Sequence, residues 1–168
     1  VPESGTLNQP VASAMPVTQT GESITVETDL LRVVLNTEGG DLHQMELIKH
    51  GLDSEHRDLP FRLLSDEGRQ IFITQSGIKG AQGTDQTQYP SHQALYTTVQ
   101  NNYVLAIGDE QLPVSMVWSD PDSGLKITKT YIFYRDSYKI DLQYRIENRG
   151  SSDWKGGAYA QLLRNSEG

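Results

Sequence analysis

Cysteine is absent from this 168-residue chain, which excludes disulfides, thiol catalysis and thiolate zinc sites. The compartment stays open, because reducing and oxidising compartments both hold cysteine-free proteins. Long apolar runs are absent too. The longest spans a few residues, too short for a transmembrane helix or the apolar region of a signal peptide, so the chain itself is read as soluble. Positive charge is scarce: Lys and Arg number 14 against 22 Asp and Glu, a formal net charge of −8, with no basic cluster. Phosphate recognition needs concentrated Lys and Arg, so nucleic acid is not an expected partner, and an anionic membrane surface is disfavoured for the same reason. A sustained 3.6-residue apolar period is missing, and so are the Gly-x-Ser-x-Gly elbow, the phosphate loop and the dinucleotide fingerprint.

What is there is strand material. Residues 1–23 carry Pro2, Pro10 and Pro16 among Ser, Thr, Gln and Gly, a composition too polar to offset the entropy of ordering, and are read as a flexible linker. From Ile24 the pattern changes. Ile24, Val26 and Thr28 alternate with Thr25 and Glu27, and Leu31, Val33 and Leu35 alternate with Arg32 and Val34, so each run places one face in a core. Gly39 and Gly40 are read as the turn-forming residues before a return strand ending near Leu47, since glycine alone enters positive φ without a Cβ clash.

Further strands are expected at Phe61–Leu64, Gln70–Gln75, Leu95–Gln100, Tyr103–Ile107, Leu112–Trp118, Leu125–Arg135, Ser137–Glu147 and Trp154–Leu163. Tyr138, Ile140, Leu142, Tyr144 and Ile146 alternate strictly with Lys139, Asp141, Gln143, Arg145 and Glu147, and are expected to face a core. Leu125, Ile127, Tyr131 and Phe133 form a similar face that Lys129 interrupts. Asn101-Asn102 suits a two-residue hairpin turn. The polar segment Ser76–Gln93 is read as a long mobile loop. Short strands at turn-punctuated spacing imply an all-β antiparallel sandwich occupying 24–168.

Chemistry is thinly represented. His43, His50, His56 and His92 are the only histidines. His50 and His56, with Glu46 and Glu55 nearby, have a spacing that fits ligation from neither a helix nor a strand. No catalytic, cofactor-binding or metal-binding residue is therefore assigned. Tyr134, on the face opposite Tyr131 and Phe133, is the aromatic best placed to line a groove.

Val26-Glu27-Thr28-Asp29 and Asn36-Thr37-Glu38-Gly39-Gly40-Asp41-Leu42 resemble the opening of the large periplasmic domain of YidC, the bacterial inner-membrane protein insertase. In-order similarities continue at Pro60–Leu64, Gln75-Ser76-Gly77, Tyr103–Ala106, Thr128–Tyr131, Arg135–Tyr138 and Gln161-Leu162. The resemblance implies a β-supersandwich similar to galactose-mutarotase-like domains; the family's domain is about twice this long, so the chain is either the truncated first part of one or an unusually short domain. It places residues 1–23 after a transmembrane helix outside this chain, on the periplasmic side of the inner membrane. It implies a non-enzymatic role beside an insertase and chaperone, with Sec translocon components and inner-membrane clients as partners and no cofactor. Trp154 and Tyr159 are read as anchors of the partner surface, and exposed strand edges as a route to self-association. The competing reading is a carbohydrate-binding or mutarotase-like sandwich; mutarotase chemistry needs a general base and acid, usually Glu and His, converging on one sugar ring.

Overall fold

Where apolar and polar residues alternate, the chain extends and pairs. The structure is a computed structural model that describes residues 20–51, 54–68 and 71–165; the expectation for the linker falls mostly outside them. Strand β1 (Ser23–Glu27) buries Ile24 and Val26, and β2 (Leu31–Asn36) buries Leu31, Val33 and Leu35. The chain returns in β3 (Asp41–Gly51) after Gly39 and Gly40, whose φ values are +75° and +61°. In the β2–β3 ladder Val34 pairs with Gln44 and Leu35 with Leu42. His43 is thus the extra residue of a bulge, which bends the strand beside the turn.

The remaining strands are β4 (Pro60–Leu64), β5 (Phe72–Lys79), β6 (Asn102–Val104), β7 (Gln111–Asp120), β8 (Leu125–Tyr134), β9 (Ile140–Asn148) and β10 (Gly157–Arg164). They form three sheets, in the orders β4-β3-β2-β1-β6, β7-β8-β9 and β10-β5. Side chains from the first two meet in one core. Ile24, Val26, Val33 and Leu35 come from one side; Val114, Met116, Tyr131 and Phe133 come from the other. The architecture is an all-β sandwich-like arrangement of antiparallel sheets. β1 and β6 make the one parallel pairing among the described strands.

Several expectations are corrected. Leu95–Gln100 forms no strand but two isolated bridges, Leu95 to Glu38 and Thr97 to Val117. β6 is three residues long and lies parallel to β1, so Asn101-Asn102 is not a hairpin turn; Asn101 O accepts from Thr25 N instead. β5 runs on to Lys79, taking Ser76 out of the expected loop. Tyr138 precedes β9 and is 46% exposed, and Ile146 is 43% exposed. β9 is the outer strand of its sheet, so its apolar face is covered only in part, through Ile140, Leu142 and Tyr144. Lys129 does not interrupt the β8 face: it is as buried as Ile127 and Phe133.

Burial sets the cost of truncation. Phe133→Ala should cost about 3–5 kcal/mol, because a fully buried ring leaves a cavity, whereas Ile146→Ala should cost less than about 1 kcal/mol. Urea unfolding curves of both variants measure this, and comparable losses would mean that β9 is fully covered.

Candidate functional site

The densest assembly of chemistry-bearing side chains lies inside the sandwich. The period of two that buries Ile127 and Tyr131 also drives Lys129 inward from the middle of β8. Its Nζ donates to Gly39 O at 2.7 Å, to Asp41 Oδ1 at 3.1 Å and to Ser76 O at 3.3 Å. The Asp41 carboxylate also accepts from the Ser76 N–H at 2.8 Å and from Ser76 Oγ at 3.3 Å. Tyr131 donates its hydroxyl to Gly40 O at 2.7 Å. The rings of Tyr96, Tyr131 and Tyr144 lie 5.8, 5.6 and 5.7 Å from Nζ, within cation–π reach.

One ammonium group therefore touches all three sheets: its own, the β2–β3 turn and β5. The glycines make this approach feasible. A Cβ on Gly39 would collide with the His92 carbonyl oxygen, and one on Gly40 would sit 3.1 Å from Lys129 Cδ and 3.3 Å from Met116 Cε.

Burial dominates the titration of this cluster. It raises the pKa of Asp41 against the opposing pull of the Lys129 charge, and lowers that of Lys129 against the opposing pull of Asp41. Burial likewise pushes Tyr144 up to about 12 and keeps Tyr96 and Tyr131 protonated. Both shifts disfavour the charged forms, because the cost of burial outweighs the attraction between the two groups. With side-chain exposures of 0% and 2%, Lys129 and Asp41 are sealed from solutes. The assembly is a latch between sheets.

The residues expected to act at the surface are scattered. Tyr159 is half-buried; its hydroxyl accepts from the His92 N–H at 3.0 Å and lies 2.8 Å from His92 Nδ1. Trp154 packs against Tyr89 with ring centroids 5.2 Å apart. Tyr134 donates to Asp141 at 2.5 Å, a bond that holds the Asp141 carboxyl below its usual range, with Lys139 adding to the effect. His43 Nδ1 lies 3.0 Å from Asp66, and the His50 ring lies 5.8 Å from that of Tyr138. Among the described residues, no group of three His, Asp or Glu side chains is arranged to hold a metal ion. A crevice of about 840 Å³ opens between the β7–β8 turn, the β9–β10 loop and the turn at Gln86–Gln88. Trp118, Trp154, Asp85 and Asp120 are among its lining residues, and no His or Glu is.

Sequence reading missed the latch because its partners are far apart in the chain: Lys129 and Asp41 are separated by 88 residues. The available signal was a lysine on a strictly alternating apolar face, a position that requires a buried counter-charge. Removing one partner should show the cost. Lys129→Met is expected to lose about 3–5 kcal/mol by stranding Asp41. Adding Asp41→Asn to that variant should cost clearly less than the sum of the two single changes, with a coupling above about 1 kcal/mol. Denaturant titrations of the four proteins in the cycle test this, and additive losses would contradict a direct pair.

The YidC periplasmic domain family matches residues 23–168 of the chain. The relatives it resembles include membrane protein insertase YidC from Methylococcus capsulatus, 40% identical over 154 residues, which cover 92% of this chain and 27% of that protein. The YidC of Pseudomonas putida strain GB-1 is 35% identical over all 168 residues and 29% of its own length. That of Alkalilimnicola ehrlichii is 34% identical over 144 residues, covering 86% of this chain and 25% of the relative. The chain thus spans between a quarter and a third of the length of these relatives, and no helix among its described residues is long and apolar enough to cross a membrane. A match that runs across nearly all of the described sandwich settles the assignment: this chain belongs to the YidC periplasmic domain family.

Proposed function

We propose that the chain is the periplasmic-side domain of a membrane protein insertase, anchored at the bacterial inner membrane by helices outside this sequence. Residues 1–23 act as a linker and 24–168 as a rigid, non-enzymatic module that helps insert and fold inner-membrane proteins, alone or with the Sec translocon. The observation that carries this reading is the family match over residues 23–168, with relatives named as insertases. The latch supports the non-enzymatic part. The most concentrated polar chemistry in the sandwich is committed to joining sheets and is shut away from solutes.

The partner surface is assigned to the β10 side. Trp154 and Tyr159 anchor it as half-buried aromatics, while Leu162 and Leu163 are 64% and 43% exposed. Large aromatics supply most of the binding energy at partner sites. Sec translocon components and inner-membrane clients are the partners.

Photo-crosslinking tests the reading in the full-length insertase carrying this domain. A crosslinker at Trp154 or Leu162 should capture a Sec subunit, and one at Thr6 should not. Capture from Thr6 alone, or from none of the three positions, would leave the domain as a spacer.

A further inference from the structure

Two hydroxyls beside the Lys129 ammonium are left over by the latch. Tyr96 is 2% exposed, and its Oη, like that of Tyr144, is shut off from solvent with no hydrogen-bond partner among the described residues. Both rings lie against Lys129 Nζ, at 5.8 and 5.7 Å. The third ring there, Tyr131, spends its hydroxyl on Gly40 O.

The ammonium cannot serve them, because its three protons go to Gly39 O, Asp41 Oδ1 and Ser76 O. Asp41 Oδ1 already accepts from Lys129 and from the N–H and hydroxyl of Ser76. The two hydroxyls are neighbours: burial, and after it the nearby Tyr144, raise the pKa of Tyr96. Ser76 Oγ approaches Tyr144 closely enough to pull its pKa down against burial, without closing a direct hydrogen bond. The Ser76 hydroxyl proton goes to Asp41, so its lone pairs remain as acceptors. Two buried donors and one spare acceptor are thus gathered at one place. Buried polar groups are almost always paired, with protein or with ordered water, and an internal water typically makes about three hydrogen bonds to such groups.

We propose that Tyr96, Tyr144 and Ser76 bind one internal water, which accepts from the two tyrosine hydroxyls and donates to Ser76 Oγ. Its partners come from the segment that crosses between sheets, from β9 and from β5. The water therefore extends the latch, tying β9 to β5 through a path that the bonds of Lys129 do not supply. The site lies in the interior and is independent of any partner at the surface.

A high-resolution crystal structure of the chain and a double-mutant cycle test it. Electron density for one water is expected within hydrogen-bond distance of Tyr96 Oη, Tyr144 Oη and Ser76 Oγ. Phenylalanine keeps each ring over the ammonium and removes only the oxygen. Tyr96→Phe and Tyr144→Phe should each raise the unfolding equilibrium constant in urea by about fivefold or more. The double variant should fall short of the product of the two by about threefold or more, since both hydroxyls act through one molecule. An unpaired hydroxyl behaves in the opposite way, because its removal leaves stability unchanged or raised. Absence of the density, a direct Tyr144–Ser76 bond in its place, Phe variants as stable as the wild type, or losses that simply multiply would overturn the proposal.

Discussion

The contact of Lys129 with Asp41 and with the carbonyls of Gly39 and Ser76 is the constraint on which the rest of the sandwich depends. β8 can bury an ammonium group only if acceptors arrive from outside its own sheet, because the main-chain groups of β7 and β9 that face it are engaged in ladders. The acceptors come from the β2–β3 turn and from β5, and this fixes how the three sheets sit against one another. An apolar core alone tolerates sliding and repacking. A buried charge with three oxygen partners tolerates neither, so it specifies one arrangement even where it adds little net stability.

That constraint explains two sequence features at once. Gly39 and Gly40 are required for positive φ, and also because the His92 main chain, Lys129 and Met116 occupy the space a side chain would need. Asp41 follows them directly, so the turn delivers the carboxylate and the Gly39 carbonyl to the same ammonium. The tyrosines complete the site by covering the cation with ring faces.

Much of this fold was legible because alternation is a local signal. β1, β2, β3, β7 and β8 follow from period-two patterns and the double glycine. The patterns fail where a non-local choice decides. Leu95–Gln100 has apolar residues suited to a strand, yet it crosses between sheets with single bridges to Glu38 and Val117. β6 pairs parallel with a strand some 75 residues earlier, which no hairpin signal encodes. The alternation of β9 correctly marks one apolar face, but whether that face is covered depends on what lies beyond the edge of the sheet. Trp154 and Tyr159 stand out as large aromatics, whereas the link from Tyr159 to His92 spans 67 residues and is invisible in sequence.

The latch is tested most directly by native-state hydrogen exchange of Ser76 and Gly39 in the wild-type chain and in Lys129→Met, measured by NMR against the amides of the β1–β2 ladder. If Lys129 ties the sheets together, the Ser76 amide, which donates to Asp41, and the Gly39 amide, which donates to Ala94 O, are protected to the level of global unfolding in the wild type. In the variant both should exchange through a local opening that leaves the β1–β2 amides at the global level. If instead all of these amides lose protection by the same factor, the substitution has lowered overall stability without opening a joint, and Lys129 is not what holds the sheets in register.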